Sequence, residues 1–85
     1  MKNKIFYQKA QELRNSNPKL THIILSIMEV VFSNDDDLPN NFFISGHHYS
    51  LENVYSTINE LAPEGTRYQV NQNGDYFFAE IIPQE

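Results

Sequence analysis

The sequence predicts an α+β fold: a single small domain (residues 1–85) with the order α-α-β-α-β-β and a small antiparallel sheet whose C-terminal β-hairpin packs against helices. Three regions repeat apolar residues at helical spacing, and the last third contains two alternating segments around Asn73-Gly74. A chain of 85 residues builds one core and buries about 60 to 65% of its unfolded surface. A large enclosed active-site cavity is therefore not expected.

The first two helices are predicted from the spacing of apolar residues. In residues 3–15, such residues recur at i, i+4 and i+7: Phe6, Ala10 and Leu13. Asn17-Pro18 is a helix-start signal, since asparagine caps free amides and proline is tolerated at the first helical position. The second helix should run to about Phe32. Its β-branched content leaves a strand open as an alternative, but the apolar stripe favours a helix: Leu20, Ile23, Ile24, Ile27, Met28, Val30 and Val31.

A loop, a short strand and a third helix are predicted next. The stretch SNDDDLPNN is typical of a loop, and NFFIS reads as a strand that stops at Gly46. Ser50 is a suitable N-cap, and Tyr49 with Val54 has the spacing of a hydrophobic staple. The helix that follows carries one predicted apolar face: Leu51, Val54, Tyr55, Ile58 and Leu61.

The C-terminal hairpin gives the strongest local signal. Asn73-Gly74 favours a two-residue type I′ turn, which would pair Val70 with Phe77 and Arg67 with Glu80. Alternation then assigns an inner, core-forming face: Tyr68, Val70, Phe77, Ala79 and Ile81. The outer face mixes polar groups with aromatic and aliphatic residues: Arg67, Gln69, Asn71, Tyr76, Phe78, Glu80 and Ile82.

Charge is unevenly distributed along the chain, whose net value is −5. Five of the six basic residues lie in the first nineteen positions: Lys2, Lys4, Lys9, Arg14 and Lys19. With Glu12 as the only acid there, this segment carries +4, and the remainder carries Arg67 against ten acids, or −9. Such a body repels nucleic acid and attracts basic protein surfaces.

Composition also predicts the compartment. The absence of cysteine is typical of a reducing environment and excludes disulfides, thiolate metal ligands and a thiol nucleophile. The N-terminal segment lacks the apolar core of a signal peptide. The longest apolar stretch, IILSIMEVVF, spans ten residues and contains Glu29, whereas a bilayer span needs about 20. We therefore expect a cytoplasmic protein without a membrane span.

The acidic and histidine-containing segments do not match a metal-binding motif. Counted from Asp35, an EF-hand loop needs glycine at the sixth position and a bidentate acid at the twelfth, where the sequence has Asn40 and Gly46. The adjacent His47-His48 side chains point in different directions, and a zinc site needs three or four converging ligands. No serine lies in a G-x-S-x-G motif, and no cofactor fingerprint is present. The sequence predicts no metal, no cofactor and no enzymatic activity.

Nucleic-acid binding is an alternative function. The segment SLENVYSTINEL followed by the hairpin resembles, over about twelve residues, the recognition helix and wing of ferric-uptake-regulator-type winged-helix repressors. This resemblance implies that the third helix contacts nucleic acid. However, that helix carries Glu52 and Glu60 and no Lys or Arg, whereas phosphate contacts need cations. The sequence therefore argues against a nucleic-acid partner.

Protein recognition is the function that the sequence favours. Tyr76 and Phe78 belong to residue types enriched at interface hot spots, and nearby acids steer a basic partner. We hypothesise an acidic binding module that occludes a basic, nucleic-acid-binding surface, by class-level analogy with phage-encoded inhibitors of host defence and immunity proteins for nuclease toxins. The predicted partner-binding residues combine the outer face with the aspartate loop: Asp35, Asp36, Asp37, Gln69, Asn71, Asp75, Tyr76, Phe78 and Glu80.

A second class of function also fits this surface. The outer face of the hairpin would be buried if the N-terminal helix or a second copy of the chain covered it. Burial by a second copy would make the protein a homodimeric regulatory or structural protein.

Overall fold

The computed structural model describes residues 3–46 and 48–83, and its elements follow the predicted order. Helices lie on one side of a three-stranded antiparallel sheet, and the C-terminal hairpin contacts them. The elements are α1 (Lys4–Ser16), α2 (Thr21–Ser33), β1 (Asn41–Ser45), α3 (Leu51–Leu61), β2 (Arg67–Asn73) and β3 (Tyr76–Ile82). The α+β prediction is confirmed. In the part of the chain that the structure describes, no helix is long and apolar enough to cross a membrane.

The junction between α1 and α2 differs from the prediction. The Asn17 side chain caps nothing, and Pro18–Leu20 forms a 3₁₀ turn before α2 begins at Thr21. Leu20 N donates to Asn17 O at 3.0 Å, and the Thr21 hydroxyl donates to Pro18 O at 2.6 Å. The backbone carbonyl of Asn17, rather than its side chain, therefore accepts a hydrogen bond from an amide at this junction. The fixed φ of proline suits this tight turn.

The apolar stripe of α2 lies in the core, as predicted. Its members Ile24, Ile27 and Val31 are fully buried, while Leu25 and Phe32 are exposed on the opposite side of the helix. The core also takes residues from every other helix and strand: Phe6, Ala10, Phe42, Ile44, Val54, Ile58, Leu61, Tyr68, Val70, Phe77 and Ala79. One continuous core therefore joins the helical layer to the sheet.

The entrance to α3 follows the prediction, but the buried face of the helix does not. The Ser50 side chain caps the helix by accepting a hydrogen bond from Asn53 N at 3.1 Å. Leu51 and Tyr55 belong to the predicted apolar face but are exposed, and Thr57 is buried instead. Thr57 tolerates burial because its hydroxyl donates to Asn53 O at 2.6 Å, so that no polar group is left unpaired.

The predicted hairpin is present with a different turn. Gly74 and Asp75 are the central residues, and Asn73 pairs with Tyr76, so the register is two residues away from the predicted one. Val70 therefore pairs with Ala79 rather than with Phe77. Gly74 has φ of +66° and Asp75 has no positive φ, which is the pattern of a type II′ turn with glycine first. A shift of two residues preserves side-chain alternation, so the predicted inner and outer faces are correct.

The sheet has the order β1-β3-β2, which makes β3 the central strand. In β1, Phe42 and Ile44 point into the core beside Phe77 and Ala79 of β3. Helix α2 contacts β1 and α3 contacts β2, on the inner side of the sheet. Among the described elements, the helices leave the opposite face of the sheet uncovered.

Candidate functional site

The outer face of the sheet carries three neighbouring aromatic side chains that we call the aromatic patch: Phe43, Tyr76 and Phe78. Phe43 is 58% exposed and Tyr76 is 52% exposed. Phe78 is half-buried between its neighbours. Within residues 3–46 and 48–83, no helix packs against this face. The alternative in which the N-terminal helix covers it is therefore wrong, because α1 packs against the other helices.

Strand pairing creates the aromatic patch. Phe43 of β1 lies directly opposite Phe78 of β3, and Tyr76 lies opposite Ser45, one step along the same face. The rings of Phe43 and Phe78 have centroids 4.7 Å apart at 36°, and those of Phe43 and Tyr76 are 6.4 Å apart at 85°. Such ring pairs contribute about 0.5 to 1.5 kcal/mol each beyond the area that they bury. These contacts favour the arrangement of the three rings in the patch.

Polar side chains flank the aromatic patch on the β2 side. Gln69 Nε2 donates to Glu80 Oε1 at 3.1 Å across the two strands. Asn71 lies opposite Phe78 and is exposed, and Asp75 is exposed in the hairpin turn. The structure thus brings together six of the nine predicted partner-binding residues, five on the outer face and Asp75 at its end: Gln69, Asn71, Asp75, Tyr76, Phe78 and Glu80.

The only arginine of the C-terminal hairpin is directed away from the aromatic patch. Arg67 starts β2 and its Nη2 atom donates to the Tyr55 hydroxyl of α3 at 2.8 Å. Tyr55 is exposed, and its hydroxyl binds the Arg67 side chain rather than a group in the core. The charged residues of β3 and of the turn before it are the acids Glu80 and Asp75.

The aspartate loop lies on the helical side of the molecule. Asp35 and Asp36 adopt left-handed backbone conformations with φ of 56° and 63°. Aspartate tolerates this region better than most residues. The Tyr7 hydroxyl of α1 donates to Asp36 Oδ1 at 2.7 Å, and Asn34 Nδ2 donates to Asp37 O at 3.1 Å. These bonds fix the loop against α1, so the aspartates contribute to the overall field rather than to the aromatic patch itself.

Two tyrosines predict a loss of stability at alkaline pH. The hydrogen bond to Asp36, with some burial and the charge of that carboxylate, raises the pKa of Tyr7, and burial raises the pKa of Tyr68. The unfolded chain releases these protons near pH 10, whereas the folded chain retains them to higher pH. Raising the pH above about 10 therefore favours unfolding.

Urea unfolding between pH 8 and 11 measures this effect. The wild-type free energy of unfolding should fall as the pH rises above about 10, and Tyr7→Phe should fall less steeply because it lacks one of the two groups. Tyr76→Phe is the control for loss of an exposed tyrosine hydroxyl. An identical slope for Tyr7→Phe and the wild type would show that the bond to Asp36 does not contribute.

The histidines do not form a metal centre with the acidic residues that the structure describes. In those residues, no group of three or more His, Asp or Glu side chains is placed to hold an ion. His22 and His48 are both exposed, and His47 lies outside the described residues. The chemistry of this region is therefore that of surface charge.

Phe43 is the residue of the aromatic patch that the sequence prediction did not include. Alternation in NFFIS places Phe42 and Ile44 on one face and Phe43 on the other, so the signal was present. What the sequence lacked was the neighbour of β1, because pairing with β3 joins residues that are 35 positions apart, such as Phe43 and Phe78.

Comparison with known proteins gives no family. No protein-family model matches the chain, and neither a curated protein nor a solved structure matches it.

Proposed function

We propose that this protein is an acidic binding module that uses the aromatic patch to cover a basic, nucleic-acid-binding surface of a partner protein. The observation that supports this role best is the cluster of Phe43, Tyr76 and Phe78, exposed on a sheet face without a covering helix among the described residues. A chain with net charge −5 presents this cluster beside Asp75 and Glu80. Exposed apolar clusters rimmed by polar groups are typical of protein interaction sites.

The chemistry of the surface favours arginine and lysine as its ligands. Guanidinium groups stack on aromatic faces, and Glu80 and Asp75 supply carboxylates within the same surface. The acidic field also accelerates encounter with a basic protein. The same acidic field would repel a nucleic acid, and α3 offers Glu52 and Glu60 but no cation to contact phosphates.

Occlusion follows from competition for the same cations. A partner that binds nucleic acid uses Lys and Arg to contact phosphates, and these contacts supply most of its nonspecific affinity. When those side chains stack on the aromatic patch or pair with its carboxylates, they no longer reach phosphate. By class-level analogy, small acidic proteins of this kind include phage-encoded inhibitors of host defence and immunity proteins for nuclease toxins.

The proposal predicts that patch variants lose the partner. Hot-spot aromatic residues contribute about 2 kcal/mol or more each, so Phe43→Ala and Tyr76→Ala should each weaken binding by roughly 30-fold or more. The partner is first captured from a host lysate with the wild-type protein, then purified and titrated with each variant. Phe32→Ala is the matched control, because Phe32 is 76% exposed on α2 and lies outside the patch.

A gel shift completes the test. Adding the wild-type protein should release a labelled duplex or single strand from the captured partner, and the patch variants should not release it at the same concentration. Unchanged capture by both patch variants would contradict the assigned surface. A partner that stays bound to nucleic acid while saturated with this protein would contradict occlusion.

A further inference from the structure

The two edges of the sheet are treated differently by the fold. At the β2 edge, Asn59 of α3 uses its side-chain amide to bond the backbone of Tyr68. Asn59 Oδ1 accepts from Tyr68 N at 2.8 Å, and Asn59 Nδ2 donates to Tyr68 O at 3.0 Å. A helix side chain thus takes the place of a neighbouring strand at this position. The β2 edge is therefore partly closed.

The β1 edge is open. Ile81 N donates to Asn40 O at 2.7 Å and Gly46 N donates to Asp75 O at 3.1 Å, which fixes the hydrogen-bonding phase of the β1–β3 ladder. In an antiparallel pair, alternate residues bond to opposite sides. Asn41, Phe43 and Ser45 therefore direct their N–H and C=O groups away from β3, and no other described residue bonds to them.

β1 also lacks the devices that usually protect an exposed edge. Its sequence, Asn-Phe-Phe-Ile-Ser, contains no lysine and no proline. Charged residues, proline, bulges and covering elements are the common means of preventing a further strand from pairing. Its short length of five residues is the one protective feature. The strand therefore offers the unpaired N–H and C=O groups of three alternate residues to an extended chain.

A groove accompanies the open edge. It has a volume of about 470 Å³ and lies between α2 and β1. Its α2 side is polar and acidic, with Ser26, Glu29 and Ser33, and its strand side includes Phe42 and Ile44. A strand added beside β1 would direct alternate side chains into this groove and the others onto the outer face, next to Phe43.

Charge decides which chain fits the groove. Among the residues that the structure describes, Glu29 is the only charged one that lines the groove, and the aspartate loop follows directly after α2. Between residues 20 and 66 the sequence has seven acids and no Lys or Arg: Glu29, Asp35, Asp36, Asp37, Glu52, Glu60 and Glu64. A second copy that paired through its own β1 edge would bring the same negative charge there, whereas a basic segment would neutralise it.

We infer that the open edge of β1 binds an extended Lys/Arg-containing segment of the partner as a fourth strand, with a cationic side chain beside Glu29. This inference rests on the proposed function, because it assigns a binding mode to the same basic partner. Backbone hydrogen bonds to Asn41, Phe43 and Ser45 supply affinity, and the groove and the aromatic patch select the side chains. The patch and the edge then form one continuous surface that meets at Phe43.

Amide hydrogen exchange followed by NMR tests this mode directly. The probe is a nine-residue peptide with capped ends that alternates lysine with valine. On binding, the amides of Asn41, Phe43 and Ser45 should exchange at least tenfold more slowly, while those of Phe42 and Ile44, already bonded to β3, should change little. The same peptide with alternate backbone amides N-methylated should bind at least tenfold more weakly, because it cannot complete the ladder.

A pair of variants isolates the edge from the patch. Ser45→Pro removes one outward N–H and should weaken peptide binding roughly tenfold, whereas Ser45→Ala removes the same hydroxyl and should bind like the wild type. If Ser45→Pro does not fold, the N-methylated peptide makes the same comparison on the unmodified protein.

Several outcomes would overturn the inference. The first is a peptide that shifts the resonances of Phe43, Tyr76 and Phe78 without the alternating protection; it would leave the proposed function intact. A glutamate-for-lysine peptide that binds equally well would remove the charge argument. The same amides could become protected as protein concentration rises without peptide, while sedimentation detects dimers. That result would assign the edge to a second copy of the chain. Failure of the peptide to bind at millimolar concentration would exclude strand addition.

Discussion

Replacing Tyr68 by alanine is expected to lower the free energy of unfolding by about 4 kcal/mol. Tyr68 is 1% exposed, and its ring packs edge-on against Phe42 with centroids 5.7 Å apart. Its hydroxyl donates to Pro39 O at 2.7 Å, which attaches the segment before β1 to β2. Truncation would leave a cavity between the helices and the sheet and an unpaired carbonyl at Pro39.

Urea unfolding of three variants separates these contributions. Tyr68→Phe keeps the ring and loses the bond to Pro39, so it should cost about 1 to 2 kcal/mol. Tyr76→Ala removes a tyrosine of the same size from the exposed outer face and should cost less than about 1 kcal/mol. A similar loss for Tyr68→Ala and Tyr76→Ala would contradict the central position of Tyr68 in the core.

The element types and the two faces of the sheet could be predicted because they depend on local periodicity. Tyr68 and Val70 alternate with exposed neighbours in β2, and Ile24, Ile27 and Val31 keep one side of α2 apolar. A period of two or of 3.6 residues can be read from neighbouring positions in the sequence, and the apolar side of the element packs in the core. Neither inference needed a contact between distant parts of the chain.

The register of the hairpin and the buried face of α3 needed more than periodicity. Gly74 supplies a positive φ either as the second residue of an Asn-Gly turn or as the first residue of a Gly-Asp turn, and both registers preserve the faces. Along α3, Leu51 and Tyr55 are more apolar than Thr57, yet Thr57 is the buried one. The Thr57 hydroxyl is satisfied within the helix, so its burial leaves no polar group unpaired. Packing of α3 against β2, rather than side-chain polarity alone, then decides which face is buried.

Only part of the aromatic patch could be predicted from the sequence. Tyr76 and Phe78 follow from alternation in β3, whereas Phe43 joins them only through the pairing of β1 with the middle of the sheet. The partial closure of the β2 edge by Asn59 could not be predicted either, because the sequence does not indicate that a helical asparagine bonds to the backbone of a strand. Contacts between distant segments decide which edge and which face remain available.

Replacing Gly46 by alanine is expected to destabilise the protein by about 3 kcal/mol. Gly46 has φ of +153°, a backbone region that residues with a side chain rarely adopt. A methyl group there would also overlap the ring of Tyr49, which is half-buried against the core. The cost therefore has a backbone part and a steric part, and both fall where β1 turns towards α3.

Urea unfolding of Gly65→Ala measures the cost of a side chain at positive φ without steric overlap, because Gly65 has φ of +82° and an added methyl would meet no atom within 4 Å. That variant should cost about 1 to 2 kcal/mol. The double variant Gly46→Ala with Tyr49→Ala isolates the steric part: it should lose less stability than the sum of its single variants, since removing the ring gives the methyl space. Strict additivity would mean that the Tyr49 ring moves aside at no cost, and the whole effect would then come from the backbone of Gly46.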